Sequence, residues 1–285
     1  MPSCPHCGEP SRISVKVYGD ELFRCRSCGL IFQFPYPTKD KMVERHQTPE
    51  YADHPYFRAG EMIGAQDILP LHKVVVSRLE SYLAPGDRVL DVGAGTGDLL
   101  LMIAGKFKVT AIEPSPHLAE QVRSKIGCSV FEGAFEDYPA TDPFGAILLI
   151  DVIEHTADPR QLLARAFSAL RKDGLLFIST VDSSSLLYRL GPLIWRASRW
   201  MGQADYALRR IFCYQHNWYF NRRVLARVVD QAGFDILEHE GFEFPVARLL
   251  ENRIMMLGLR TIFLIQKMAA SKSEQYLVAR KKCRA

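Results

Sequence analysis

Two C-x-x-C pairs open the chain, Cys4-Pro5-His6-Cys7 and Cys25-Arg26-Ser27-Cys28, with 17 residues between them and a glycine, Gly8 or Gly29, after each. That spacing is the spacing of a zinc ribbon. Two thiolates on one tight turn can face one ion, and the glycine allows the positive φ that turns backbone amides toward the sulfurs. Four thiolates close a tetrahedral shell, so the expected Zn2+ is structural, because a hydrolytic zinc keeps a position open for water. Cys4, Cys7, Cys25 and Cys28 are the expected ligands, and His6, inside the first turn, is not. Redox-active dithiols are the competing reading and fit a cytoplasmic chain less well. Cys128, Cys213 and Cys283 are scattered and read as buried or incidental thiols.

A second constellation begins where Val89-Leu90-Asp91-Val92 runs into Gly93-Ala94-Gly95-Thr96-Gly97-Asp98. Glycines at a strand's carboxyl end let backbone approach a ligand. The third glycine falls one place earlier than in the dinucleotide fingerprint, with Asp98 where that pattern wants glycine, which argues against an NAD-dependent oxidoreductase. Some twenty residues on, a strand ends in Glu113, whose carboxylate can accept both hydroxyl hydrogens of a ribose and would repel a 2′-phosphate. The bland reading of Glu113 is a surface acid near a helix start. Asp151-Val152-Ile153-Glu154-His155 closes a later strand, and His216 sits within Cys213–Phe220.

Asp91, the G-x-G-x-G loop, Glu113 and the D-x-x-E-H stretch together resemble the class I S-adenosylmethionine-dependent methyltransferases, in particular the broad group of quinone-pathway O-methyltransferases and nucleotide-sugar methyltransferases. The resemblance runs from Arg88 to about Glu238. It implies an α/β fold with a doubly wound, mostly parallel seven-stranded sheet behind the small N-terminal zinc ribbon. It also implies a cofactor site made of Asp91, Gly93, Ala94, Gly95, Gly97, Glu113, Phe135, Glu136 and Asp151. One departure is visible: many relatives carry an acid directly after the glycine of the adenine segment, where this chain has Ala134, which shifts that contact to the backbone around Phe135 and to Glu136. Methyl transfer from a sulfonium needs positioning and, for some acceptors, one base. Glu154, His155 and His216 are the candidates, with a hydrogen-bonded structural role as the alternative for either histidine. Related sugar C-methyltransferases carry a glutamate before the second histidine, whereas Gln215 stands here and cannot act as a base.

The elements that must carry these residues follow from pattern. Short apolar strands alternate with helical stretches from Arg88 onward, as in βαβ units: strands Val89–Val92, Phe107–Ile112, Ala146–Ile150 and Leu175–Val181, and helices Leu99–Ala104, Arg160–Arg171 and Arg222–Ala232. Ser115, Asp158 and Asn221 are expected caps, and Lys172-Asp173-Gly174 the end of the second of those helices. Phe234–Glu238 and Gln275–Ala279 complete the sheet, the final strands antiparallel. The organisation expected is residues 1–40 as ribbon, 41–84 as a helical and aromatic connector or lid, and 85–285 as the cofactor-binding domain. From Leu30 to Ala84, prolines alternate with Phe32, Phe34, Tyr36, Tyr51, Tyr56 and Phe57 ahead of a helical run Ile63–Leu83. Interdomain packing is the minimum expectation and a lid the functional one.

An insertion, 183–220, holds leucines at helical spacing, a Gly191-Pro192 step expected to break or kink the helix, and most of a run of seven arginines (Arg189, Arg196, Arg199, Arg209, Arg210, Arg222, Arg223) against the single acid Asp205. A cap packed on its own domain with a solvated basic face is the plain reading. Peripheral contact with an anionic bilayer through 183–211, or admission of an amphipathic or phosphorylated acceptor, are the others. A net charge of +4 is too mild to argue for nucleic acid, and neither N-P-P-Y, D-P-P-Y nor a catalytic P-C motif is present, so a small-molecule or amphipathic acceptor leads over a nucleic-acid one. A non-catalytic cofactor-binding module with a partner-recruiting ribbon is the third class. With no basic-then-apolar leader and only the interrupted run Ile254–Ile265, the expected location is the cytoplasm. Oligomeric state and the atom methylated are not readable from the sequence.

Overall fold

The computed structural model describes residues 1–48, 69–139, 141–200, 208, 211–213, 215–242 and 271–283. Tyr51, Tyr56, Phe57, Asp205, Arg209, Arg210, the start of the helical run at Ile63, the apolar run Ile254–Ile265 and the side chains from Ile194 to Trp200 lie outside them.

Seven strands form one sheet. In chain order they are β4 (Arg88–Val92), β5 (Lys108–Glu113), β6 (Ser129–Glu132), β7 (Phe144–Ile150), β8 (Leu170–Val181), β10 (Phe234–Phe242) and β11 (Glu274–Lys281), and in space they lie β10-β11-β8-β7-β4-β5-β6. β8, β7, β4, β5 and β6 run parallel, and β11 enters antiparallel between β8 and β10. Successive strand residues point to opposite faces, and both faces are covered, as a parallel sheet requires. Leu90, Ile147, Leu149 and Ile178 pack toward helices α5 (Pro159–Ala169) and α7 (Arg222–Gln231). Val89, Ala146, Leu148 and Phe177 pack toward α2 (Leu69–Tyr82) and α3 (Asp98–Ile103). The chain builds outward from β4 through β5 to β6, then returns to place β7 on the other side of β4. The carboxyl ends of β4 and β7 therefore flank a topological switch point, where such sheets bind ligands.

A second sheet carries the cysteines: β1 (Ser11–Val17), β2 (Asp20–Cys25) and β3 (Ile31–Phe34) form an antiparallel meander. Its fourth strand is β9 (Trp218–Tyr219), which comes from the far end of the insertion and pairs Ile31↔Tyr219 and Phe32↔Trp218. Tyr36 stacks on Trp218 at 5.7 Å, so the expected aromatic packing is present at Phe32, Phe34 and Tyr36.

Three local expectations are corrected. Helix α5 stops at Ala169, not Arg171: Leu170 already pairs with Phe144, and the Lys172-Asp173-Gly174 turn becomes a bulge within β8, with Asp173 at φ 59°. Ser115 stands at the N-cap of α4 (Pro116–Ile126) without a side-chain bond, whereas Asp158 and Asn221 cap as expected. Of the break or kink expected at Gly191-Pro192, the break does not occur: helix α6 (Leu186–Trp200) continues through Pro192. Proline cannot donate to the carbonyl four residues back, and that carbonyl, on Tyr188, accepts from the Arg24 guanidinium instead at 3.2 Å. Gly191 is where the helix meets Phe212, since a Cβ there would lie 2.8 Å from the ring. Leu187, Tyr188, Ile211 and Phe212 pack on Val15, Val17 and Leu22 of the small sheet, whereas Leu193 is exposed.

Candidate functional site

The glycine loop folds back over the strand ends. Gly93 and Ala94 both donate their N–H to the Ile112 carbonyl, at 2.7 and 3.2 Å. Gly93, Gly95 and Gly97 have φ of 72°, 55° and 74°, backbone that favours glycine. At Gly93 space adds to conformation: a Cβ would come within 2.9 Å of Val152, so the loop is pressed against the turn that follows β7. Glu113 holds the loop from beneath, one carboxylate oxygen accepting from Gly95 N at 2.8 Å and the other from Ser115 N at 2.9 Å. Each oxygen keeps a lone pair for a ligand. Asp91 and Glu113 are both buried. Burial and the Glu113 charge push the Asp91 carboxyl up to about 7. Burial raises Glu113 to about 7 against the pull of the Ser115 and Gly95 amides.

Above this floor lies an open cleft, lined by Gly93, Ile112, Pro114, Gly133, Ala134, Glu136, Asp151, Val152, Thr156 and His155. Gly93, Glu136, Asp151 and His155 among the sequence candidates reach it. Asp91, Ala94, Gly95, Gly97 and Glu113 form the floor or the loop behind it. Phe135 does not line it: the ring is buried in the core beneath the Arg165 guanidinium. The roof falls in the segment whose functional expectation is a lid, although the sequence singles out none of its lining residues. Helix α1 (Lys39–Gln47), capped by Thr38, places Lys39, Met42 and Val43 along the cleft, and Lys39 pairs with Asp137 at 2.6 Å. That exposed pair contributes little by itself. The available signal was Thr38-Lys39-Asp40, a cap followed by an acid in the first helical turn.

The D-x-x-E-H stretch forms the turn after β7, starting at Asp151 with φ 55°. Ser179 secures it, its carbonyl accepting from Asp151 N at 3.1 Å and its hydroxyl donating to Asp151 Oδ1 at 2.6 Å. Glu154 is buried, its Oε2 has no hydrogen-bond partner, and burial raises its pKa well above the carboxylate range. His155 and His216 meet edge to face with ring centroids 4.7 Å apart, and His155 Nδ1 lies 3.1 Å from the Gln215 carbonyl. Burial lowers His216 to about 3, leaving it neutral. Ligand-type atoms of Glu154, His155 and His216 fall within 4.8 Å of one another, so all three catalytic candidates are brought together.

The four cysteines converge likewise, Cys4 to Cys28 at 3.6 Å and Cys7 to Cys25 at 3.5 Å between sulfurs, all four within 4.8 Å. Ser27 N and Cys28 N both point at Cys25 Sγ at 3.4 Å, and Gly8 and Gly29 share φ of 77°, the turn geometry their positions implied. As thiols they fit their surroundings poorly. Burial drives Cys4 up to about 11 and raises Cys28 further, while at Cys25 burial is outweighed by amides and neighbouring thiols, leaving it at about 7. Four thiolate donors gathered within 4.8 Å of one another form the donor set of a tetrahedral site, and the set fits Zn2+.

Comparison with known proteins agrees with this geometry. A methyltransferase domain family matches residues 71–239, more than half of the chain. A ubiquinone biosynthesis O-methyltransferase of Xanthomonas campestris pv. campestris is 33% identical over 133 residues, 42% of this chain and 56% of that protein. The match thus spans about half the length of that relative. The enzyme of the same description from Neisseria meningitidis serogroup C is 26% identical over 207 residues, 68% of this chain and 82% of its own. Among solved structures, Haemonchus contortus phosphoethanolamine N-methyltransferase 2 superposes with a TM-score of 0.60 at 17% identity, over 89% of this chain and 62% of that one, a likeness of fold alone. By its seven-stranded sheet, its glycine-loop cleft and the extent of the family match, this chain belongs to the methyltransferase domain family.

Proposed function

We propose that the chain transfers the methyl group of S-adenosylmethionine to a small-molecule acceptor. The observation that carries this reading is the cleft at the switch point, where the Gly93 loop, Asp151 and His155 face one volume. Relatives named for O-methylation in ubiquinone biosynthesis support a small-molecule acceptor. When bound, S-adenosylmethionine supplies a methyl group on a sulfonium, already activated for in-line displacement. The chain's part is then to orient, enclose and take up one proton. Gly93, Gly95 and Gly97 bring backbone close to the cofactor, with Asp91 and Glu113 beneath them. Glu136 and the backbone around Ala134 face the adenine region. Asp151 marks the cofactor side of the methyl-transfer turn.

His155 is the better base of the two histidines. With Nδ1–H donated to the Gln215 carbonyl, Nε2 carries the lone pair and can accept the acceptor's proton. His216, lowered to about 3 by burial, is a weak base and serves as a neutral partner to the His155 ring. Glu154, whose pKa burial raises well above the carboxylate range, lies beside the two histidines. Cys4, Cys7, Cys25 and Cys28 hold Zn2+ in a structural role. Leu187, Tyr188, Ile211 and Phe212 of the insertion pack on the small sheet, and no helix among the described residues is long and apolar enough to cross a membrane.

Isothermal titration of the purified, zinc-quantified protein tests this. S-adenosylmethionine should bind and NAD should not, and binding should be lost in Asp91→Ala and in Glu113→Ala. Binding of NAD, or of neither ligand, overturns the reading.

A further inference from the structure

Residues 217–221 join two regions far apart in sequence. On one side they belong to the four-cysteine sheet: Gln33 N donates to the Asn217 carbonyl at 2.9 Å, β9 pairs with β3, and Asn221 Nδ2 donates to the carbonyl of Cys28 at 2.8 Å, 193 positions away. On the other side they grip three consecutive residues of the turn bordering the cleft. The Glu154 carbonyl accepts from Asn217 N at 2.8 Å and Trp218 N at 3.2 Å. The His155 carbonyl accepts from Asn217 Nδ2 at 3.0 Å, and the Thr156 carbonyl accepts from Trp218 Nε1 at 2.7 Å. Asn217 Nδ2 also lies 2.8 Å from Met42 Sδ, on the roof of the cleft. Asn217 and Trp218 are buried, so water does not replace these bonds when one is lost.

We propose that Asn217 and Trp218 are positioning residues, through which the metal-loaded cysteine sheet fixes the Glu154–Thr156 turn and the His155–His216 pair. The proposal rests on the reading of His155 as the proton acceptor only for its catalytic meaning, since the linkage is a property of the free protein. Elsewhere a zinc ribbon can fold as an independent appendage. Here its sheet is incomplete without β9, and β9 begins two residues after His216. Loss of zinc should therefore loosen the acceptor side of the cleft while β4, whose hydrogen bonds run to β5 and β7, stays closed.

Hydrogen exchange on the full chain, resolved to single amides by NMR, tests this. The His155 amide donates to the Val152 carbonyl at 2.9 Å and reports the turn, and the amides of Val89–Val92 report the sheet. In zinc-loaded Trp218→Phe the ring can remain stacked on Tyr36 while the bond to Thr156 is lost. Exchange at His155 should then rise about fivefold, the size of one net hydrogen bond, with β4 unchanged. Chelation of zinc from the unaltered chain should open the same amide at least as far. In carbon-13 histidine spectra the His155 ring signal should move while that of the exposed His117 holds still. Unchanged exchange at His155 in both samples overturns the proposal, as does an equal rise in β4, which marks general destabilisation. A chain that purifies without zinc yet protects His155 and Trp218 fully also overturns it. S-adenosylmethionine titration of the unaltered protein judges the cofactor reading separately.

Discussion

The floor of the cleft sets two buried acids together, and Asp91→Asn is the perturbation that exposes the consequence. Burial and the charge of Glu113 raise Asp91 from 3.8 to about 7, so in the fold this carboxyl keeps its proton well above the pH at which the unfolded chain releases it. Between those two values the native state binds the extra proton. The favourable contribution is complete below the unfolded pKa and is lost as pH rises through 7, at about 1.4 kcal/mol per pH unit. From pH 5 to 7 that is roughly 2–3 kcal/mol, a large share of the ~5–15 kcal/mol that holds a domain folded. Asparagine has the shape of aspartate and no proton to lose. The wild-type curve alone does not isolate the effect, because His216, lowered to about 3, works the other way: its stabilisation falls as pH drops below the ordinary histidine value. The quantity to measure is the stability of Asp91→Asn minus that of wild type, from urea unfolding at pH 5, 6 and 7. The difference should grow with pH by about 1 kcal/mol per unit. A difference that stays level, or shrinks, would refute the claim that Asp91 is held protonated beneath the glycine loop.

Gly93→Ala should cost about 2–4 kcal/mol, from a positive φ and a methyl forced onto Val152, and should abolish S-adenosylmethionine binding, as read by urea unfolding and calorimetry. Asn221→Ala should cost about 2 kcal/mol, because it removes the cap on Val224 N and leaves the Cys28 carbonyl unpaired, whereas Asn221→Ser should recover the cap and cost about 1 kcal/mol. His216 should remain neutral down to about pH 4, seen as a ring carbon signal that does not move between pH 8 and 4.

What the sequence displays well is whatever is fixed locally. The run Val89–Val92 into three glycines, the acid at the end of the next strand, and the caps Asp158 and Asn221 each depend on residues a few positions apart, and each lies where pattern puts it. The two C-x-x-C turns are legible for the same reason. Elements whose cause is distant are not legible. Strand β9 is two residues long, too short to show any alternation, and exists because β3 has a free edge. Helix α6 survives Pro192 because an arginine 164 positions earlier satisfies the carbonyl that proline abandons. Helix α1 reads as part of a connector until its packing over the cleft is known.

The two histidines show where that division falls within one site. In sequence they are equivalent candidates, each a titratable ring in an apolar neighbourhood. Their difference comes from partners: His155 sits on the cleft with one nitrogen engaged by a carbonyl 60 positions on, while His216 lies behind it and is kept from charging by burial. A motif can nominate an imidazole, but its protonation state depends on the solvent and dipoles around each ring nitrogen. Those surroundings are supplied by the segment that closes the cysteine sheet. The four-cysteine sheet is thus bonded to the turn that carries His155 and joined through β9 to the segment that carries His216.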